Sequence, residues 1–212
     1  MLSVRTALSG QPVPAPDPFG SGGFVLAPEL TDGPPPIWLA ALGDRSIRLA
    51  GEVADGVVMN WCTPKRVRAA RAILRLAAAR AGRDPSAITV SVYVRACLGM
   101  SDEVALAALR RPAGQYASIP HYHRQFELMG LGEEASAAAE AFQAGRIDEV
   151  PESFVRALTV IGGRREAMER GQAYRDAGAD LILWYPVPAL DPVSSIMGTI
   201  MAAAPDPSVG AG

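Results

Sequence analysis

Long apolar runs are missing from this chain, and so are most of the residues that build metal and disulfide frameworks. No stretch reaches the roughly 18 apolar residues that a bilayer-spanning helix needs, and the N-terminal MLSVRTALSG lacks the apolar core of a secretory signal. Cysteine occurs only at Cys62 and Cys97, and histidine only at His121 and His123. The cysteines have neither metal-ligand spacing nor the pattern of a disulfide framework, which fits a reducing compartment. His-x-His without a third ligand nearby is a weak metal signal, so no metal site is expected. Charge of one sign is not in excess either: the net charge is -2, without the basic field that nucleic acid or an anionic membrane demands. No P-loop, dinucleotide glycine fingerprint or nucleophile motif occurs. The expectation left standing is a soluble cytoplasmic protein whose partners are small molecules, with no nucleic acid and no membrane among them.

What is present falls into segments. Residues 1–36 are rich in proline and glycine. "QPVPAPDPFGSGG" and "TDGPPP" suit neither regular helix nor central strand, because proline lacks the N–H and fixes φ, so this segment reads as a loop or arm, ordered or not. From Pro36 the character changes. Ile37–Leu42 is a continuous apolar run of strand length, residues 45–53 carry helical spacing (Ile47, Leu49, Ala50, Val53), and Gly56–Trp61 is a second apolar run. Strand, crossover of about a dozen residues and strand make a minimal βαβ unit. Thr63 and Pro64 are N-cap and first-turn residues for the next helix. There Val67, Ala70, Leu74, Ala77 and Ala81 form one stripe, and Arg68, Arg71 and Arg75 form a solvated one, up to a terminator at Gly82.

Ile88–Leu98 alternates: Val90, Val92, Val94 and Ala96 share one face, while Ser91, Tyr93, Arg95 and Cys97 share the other. Arg95 is the only charge in this strand. It reads either as an inward polar group for chemistry or, more commonly, as half of an interior salt bridge. Residues 99–161 show no convincing strand but helical stretches near 101–110 (N-cap Ser101), 121–129, 133–144 and 151–161, which is too long for a plain loop and reads as a helical insertion. A helix to Gly178 and a strand "DLILWYP" stopped by Pro186 follow. Four parallel-type strands are therefore expected, near 37–42, 56–61, 89–98 and 180–185.

Three stretches carry a resemblance. "PPPIWLAALGDRSIRLAGEVADGVVMNWCTP" resembles the luciferase-like monooxygenase superfamily, whose members read Pro-Ile, Ala-Ala-x-Gly, Leu-Ala-Gly and Ala-Asp-Gly here. In this chain those are Pro36-Ile37, Ala40-Ala41 with Gly43, Leu49-Ala50-Gly51 and Ala54-Asp55-Gly56. "YASIPHYHRQFELMGL" and "LTVIGGRREAMERGQAYRDAGADLILWYP" are similar to two later family segments, so the resemblance covers roughly residues 30–187.

The resemblance implies an α/β fold of the TIM-type (β/α)8 barrel, with only the C-terminal four strands (five to eight) present and a helical insertion between the last two. The implied layout is an arm over 1–36, a partial barrel over 37–188 with the insertion at about 99–161, and a tail over 189–212. It implies an oxidoreductase or monooxygenase that uses coenzyme F-420 (deazaflavin) or FMN on a small organic substrate, as a truncated or split member. Its partner would be a second copy or a separate N-terminal half. A catalytically silent half-barrel serving as a subunit or interaction module is the alternative.

The resemblance also places cofactor contacts. Ala41, Leu42 and Gly43 would offer backbone amides to the cofactor phosphate, with Asn60 at the end of the second strand as a further contact. Small residues ahead of a helix N-terminus suit an anion, although Asp44 at the N-cap would compete for the same donors. Asn60 also reads as a turn residue. Trp61 either walls the cofactor or fills the barrel rim, and Asp55-Gly56 reads as a structural turn. His121 and His123 read as insertion surface, with an acid–base role open. Gly162-Gly163 stands where the family often has a capping Ser or Thr, so that helix start is expected to lack its cap. No residue is assigned a catalytic role.

Overall fold

The sheet that begins past the proline tract is parallel throughout. The computed structural model describes residues 2–13 and 33–205. Its elements are α1 (Leu2–Leu8), β1 (Trp38–Ala40), α2 (Asp44–Val53), β2 (Gly56–Asn60), α3 (Pro64–Arg80) and β3 (Thr89–Leu98), followed by α4 (Asp102–Ala117), α5 (Pro120–Leu128), α6 (Gly132–Gln143) and α7 (Glu152–Leu158), and then by β4 (Thr159–Gly162), α8 (Arg164–Asp176), β5 (Leu181–Pro186) and α9 (Pro192–Ala203).

β1 pairs with β2, and β2 with the first half of β3, from Gly56↔Thr89 to Asn60↔Tyr93. β4 pairs with the second half of β3, from Arg95↔Thr159 to Leu98↔Gly162. β5 pairs with β3 from Ser91↔Leu181 to Ala96↔Pro186, overlapping both partners. A strand has only two edges. β2 and β4 must therefore lie end to end along one edge of β3, with β5 on the other. Among the described residues, β1 and β5 each pair on one side alone.

Several local readings hold for their expected reasons. Thr63 accepts the Arg66 N–H and caps α3, with Pro64 in its first turn. Ser101 caps α4 through the Val104 N–H. Gly82 ends α3 at φ +69°, a left-handed value that suits glycine.

Four readings need correction. The segment expected to be strandless and helical to 161 ends its helix at Leu158, and Thr159–Gly162 forms β4. Thr159, Val160 and Ile161 are β-branched residues with free β3 backbone beside them. α4 runs on past 110 and through Pro112, which stands more than two turns into it; the buried residues Leu109, Ala113 and Ala117 hold it there. The segment read as a loop or arm opens with a helix, α1, from which Arg5 reaches Asp55 at 2.7 Å; most of the proline tract, residues 14–32, lies outside the described residues. Arg71 leaves the solvated stripe to bond the Ile88 carbonyl at 2.9 Å and to pair with Asp180 at 3.1 Å.

The Leu-Ala-Gly and Asp-Gly motifs acquire physical reasons. A Cβ on Gly51 would lie 2.7 Å from the Leu74 carbonyl oxygen, so α2 rests directly on the backbone of α3. A Cβ on Gly56 would lie 2.7 Å from the Trp38 indole. Asp55 joins the ends of the βαβ unit, accepting from the Ile37 N–H at 2.8 Å and from Arg5. Burial alone would raise its carboxyl pKa. The bonds from Arg5 and Ile37, with the charges of Arg5 and Arg83, outweigh that and hold it below the ordinary carboxylate range.

Two cores result. One lies between the sheet and α2, α3 and α8, and includes Val57, Met59, Val90, Val92, Ile47, Leu74 and Tyr174. The other fills the helical insertion, where Leu109, Phe126, Phe154 and Val155 meet Trp61 at the end of β2. The opposite sheet face is less covered: Tyr93 is 40% exposed and Tyr185 49%. Cys62 and Cys97 are free thiols buried in separate cores. Burial pushes the Cys62 thiol up to about 12 and raises Cys97 as well. A thiolate-specific reagent is expected to label neither in native protein and both in denaturant; rapid native labelling would contradict the burial. No helix among the described residues is long and apolar enough to cross a membrane.

Candidate functional site

The sequence-predicted positions gather where β1, β2 and β3 end. β1 runs into Ala41-Leu42-Gly43, and α2 starts at once behind them. The Ala41 N–H is committed to the sheet, donating to the Val58 carbonyl at 3.1 Å. Leu42 and Gly43, with Ser46, His121, Arg124 and Gln125, line a cavity of about 660 Å³ between α2 and α5.

The N-cap is Gly43, not Asp44 as expected, and no side chain caps the helix. Asp44 stands one residue inside α2 and pairs with Arg66 at 2.8 Å. Arg66 is buried and also donates to the Leu42 carbonyl at 2.7 Å. The carboxylate expected to compete with an anion is thus drawn aside by a cation, and the first amides of α2 keep the favourable end of the helix dipole.

Asn60 sits one strand over with both ends of its amide engaged. Its Nδ2 donates to the Tyr122 hydroxyl at 2.9 Å, and its Oδ1 accepts from Arg95. Trp61 follows at φ +50°, a left-handed backbone that costs a bulky residue on the order of 1–3 kcal/mol. Gln125 holds this turn, donating through Nε2 to the Asn60 carbonyl at 2.8 Å and the Trp61 carbonyl at 2.6 Å. The Trp61 indole N–H and the Gln125 Oε1 are buried without partners. The strained turn is thus held by bonds from a helix more than 60 residues away, with two buried polar atoms beside it left unpartnered.

Arg95 is 7% exposed. The expected interior salt bridge is not there: none of the ion pairs among the described residues involves it. Its guanidinium instead lies 4.2 Å from the Trp61 ring centre, 4.8 Å from that of Tyr116 and 5.1 Å from that of Tyr185. Burial lowers its pKa, and the nearby hydroxyls of Tyr116, Tyr122 and Tyr185 work against that. Burial also raises the Tyr122 hydroxyl, partly offset by Asn60.

His121 is exposed at the cavity wall. His123 faces away, with Nδ1 3.1 Å from the Ala117 carbonyl and Nε2 3.9 Å from Glu127. No cluster of three or more His, Cys, Asp or Glu residues able to hold a metal occurs among the described residues. Gly163 caps α8 without a side chain, as expected, but Glu166 reaches back to accept its N–H at 2.9 Å and supplies half of a capping box. Sequence reasoning missed Arg66, Tyr116, Tyr122, Arg124 and Gln125. The spacing of His121, Arg124 and Gln125, one helical turn, was the available signal for the last two.

Residues 4–181 match the profile of the luciferase-like monooxygenases. The chain belongs to that family. Over 108 residues it is 35% identical to the 5,10-methylenetetrahydromethanopterin reductase of Methanolobus tindarius, a match covering 50% of this chain and 32% of the relative. The enzyme of the same name from Methanopyrus kandleri is 25% identical over 153 residues, covering 70% of this chain and 44% of the relative. Among the solved structures that share the fold are two F-420-dependent enzymes. One is the coenzyme F-420-dependent tetrahydromethanopterin reductase of Methanopyrus kandleri (TM-score 0.68, 19% identity), for which 93% of this chain covers 58% of that one. The other is an F-420-dependent secondary alcohol dehydrogenase in complex with an F-420–acetone adduct (TM-score 0.72, 18% identity), for which 95% of this chain covers 59% of that one. This luciferase-like chain thus spans under two thirds of the relatives it matches, and its sheet and helices superpose on part of theirs.

Proposed function

We propose that this luciferase-like chain forms the phosphate-holding and substrate-facing part of an oxidoreductase that uses coenzyme F-420 or FMN on a small organic substrate. The observation that carries the reading is the uncapped start of α2 at Gly43, opening into the 660 Å³ cavity with Arg124 and His121 opposite. Leu42 and Gly43 would hold the cofactor phosphate by backbone amides, and Arg66 keeps Asp44 out of the way. Ala41 sets the strand end that aims them. Asn60 belongs to the same site, positioning Arg95 and Tyr122. When bound, the cofactor supplies the hydride or oxygen chemistry, and the chain binds and orients it.

The test is thermal stability of the full chain with F-420, with FMN and with riboflavin, which carries no phosphate. Stabilisation by F-420 or FMN that riboflavin does not reproduce, and that Gly43→Val abolishes, is the expected result. Equal melting temperatures in all arms overturn the reading.

One observation favours a second reading, the catalytically silent half-barrel: β1 and β5 are paired on one side only, and Tyr93 and Tyr185 stay exposed. A split or truncated barrel acting as a subunit would use those edges, with a second copy or a separate N-terminal half as the occupant. An unchanged melting temperature with cofactor, together with self-association, is the pattern this reading expects.

A further inference from the structure

The Arg95 cage is not used by the phosphate shelf. β3 lies two strands from β1, roughly 10 Å at the spacing of parallel strands, and Arg95 sits on the face that also carries Tyr93 and Tyr185. A buried guanidinium normally meets a carboxylate, because removing its charge from water costs several kcal/mol unless an opposite charge compensates. Here the compensation comes from three aromatic rings, the Asn60 amide oxygen and the nearby hydroxyls of Tyr116, Tyr122 and Tyr185. None of these is a carboxylate.

The cage is also held at some cost, since it rests on the left-handed Trp61 backbone and on Asn60, whose other end is tied to Tyr122. Beside it, the exposed rings of Tyr93 and Tyr185 meet edge to face at 6.5 Å, an apolar platform next to a cation. An anion with an apolar body matches both parts: the rings take the body, and Arg95 takes the charge by the charge-assisted bonds that guanidinium groups make with carboxylates.

We propose that Arg95 is a substrate-recognition residue, and that the substrate taken on this face is a small organic acid with a flat or apolar body. This rests on the reading of the strand ends as the site of a small-molecule oxidoreductase. The cofactor phosphate is assigned elsewhere, to Leu42-Gly43, so the two anion sites can be tested apart.

The experiment titrates the full chain, without cofactor, with benzoate and with its neutral counterpart benzamide at constant ionic strength. The readout is tryptophan fluorescence, since Trp61 lies against Arg95. Benzoate is expected to bind at least about tenfold more tightly than benzamide, the size of one charge-assisted hydrogen bond. Arg95→Gln is expected to remove the difference while its far-ultraviolet circular dichroism matches that of the wild type. Equal response to both probes, or no response to benzoate, overturns the proposal whatever FMN does. So does an Arg95→Gln protein that still prefers benzoate. Should Arg95→Gln not fold, the wild-type preference and its loss in Arg95→Met decide; if neither variant folds, the wild-type comparison alone decides. Discrimination of benzoate without any FMN effect would support this proposal and sink the cofactor reading.

Discussion

Gly51→Val is expected to lose about 3 kcal/mol or more of stability in urea denaturation, at the upper end of what overpacking costs. The Cβ would sit 2.7 Å from the Leu74 carbonyl oxygen, 2.9 Å from the Ala77 Cβ and 3.3 Å from the Ala78 N. Two of those atoms are backbone inside α3 and cannot swing away as a side-chain tip would. α2 must lift off, and with it go the buried contacts of Ile47 and Ala50. Because α2 also carries the uncapped amides after Gly43, the same variant is expected to abolish stabilisation by F-420 or FMN. Gly43→Val provides the contrast. Nothing lies within 4 Å of a Cβ there, and the backbone is extended at φ -87°, so its stability cost is expected to stay near 1 kcal/mol, the order of a lost N-cap preference. The two glycines are thus expected to differ, Gly51 serving packing and Gly43 leaving the proposed anion site open. A Gly51→Val protein with an unchanged urea midpoint would refute the close approach.

That contrast shows what was legible in the sequence. The strands at 37–42, 56–61, 89–98 and 180–185 were readable because a sheet covered by helices leaves long apolar runs or clean alternation, and the caps at Thr63 and Ser101 are local chemistry. β4 was not readable. It is four residues long and directly follows a helix, and only the exposed backbone of β3 makes it a strand. The site divides in the same way. Leu42, Gly43 and Asn60 lie at strand ends, where local pattern and the family motif point. Gln125 and Tyr122 reach Asn60 from more than 60 residues away, across an insertion whose docking no local period encodes. Arg95 was found by alternation, but its partners were misjudged, since a strand pattern places a charge on a face without saying what meets it there.

Phe154→Ala is expected to have the largest effect of all, about 3–5 kcal/mol, the usual cost of emptying a fully buried aromatic site. Phe154 on α7 is 0% exposed and packs edge to face on Phe126 of α5, with ring centres 5.0 Å apart. The loss should not stay inside the insertion. α5 supplies the Gln125 amide that bonds both carbonyls of the strained Asn60–Trp61 turn and the Tyr122 hydroxyl that receives Asn60 Nδ2. α4 supplies Tyr116, one of the three rings around Arg95. Each contact depends on those helices being held at a fixed height against β2, and Phe126–Phe154 is part of what fixes it. With the contact gone, Trp61 no longer needs its left-handed backbone, and the environment of its indole changes. The measurement is urea denaturation followed by two probes, far-ultraviolet circular dichroism and tryptophan fluorescence. In the variant the fluorescence transition is expected to precede the dichroism transition, because the insertion core loosens before the sheet core of Val57, Val92 and Tyr174. Two transitions that stay superposed and shift together by several kcal/mol would instead mean that both cores unfold as one unit, and that the site is only as stable as the whole domain.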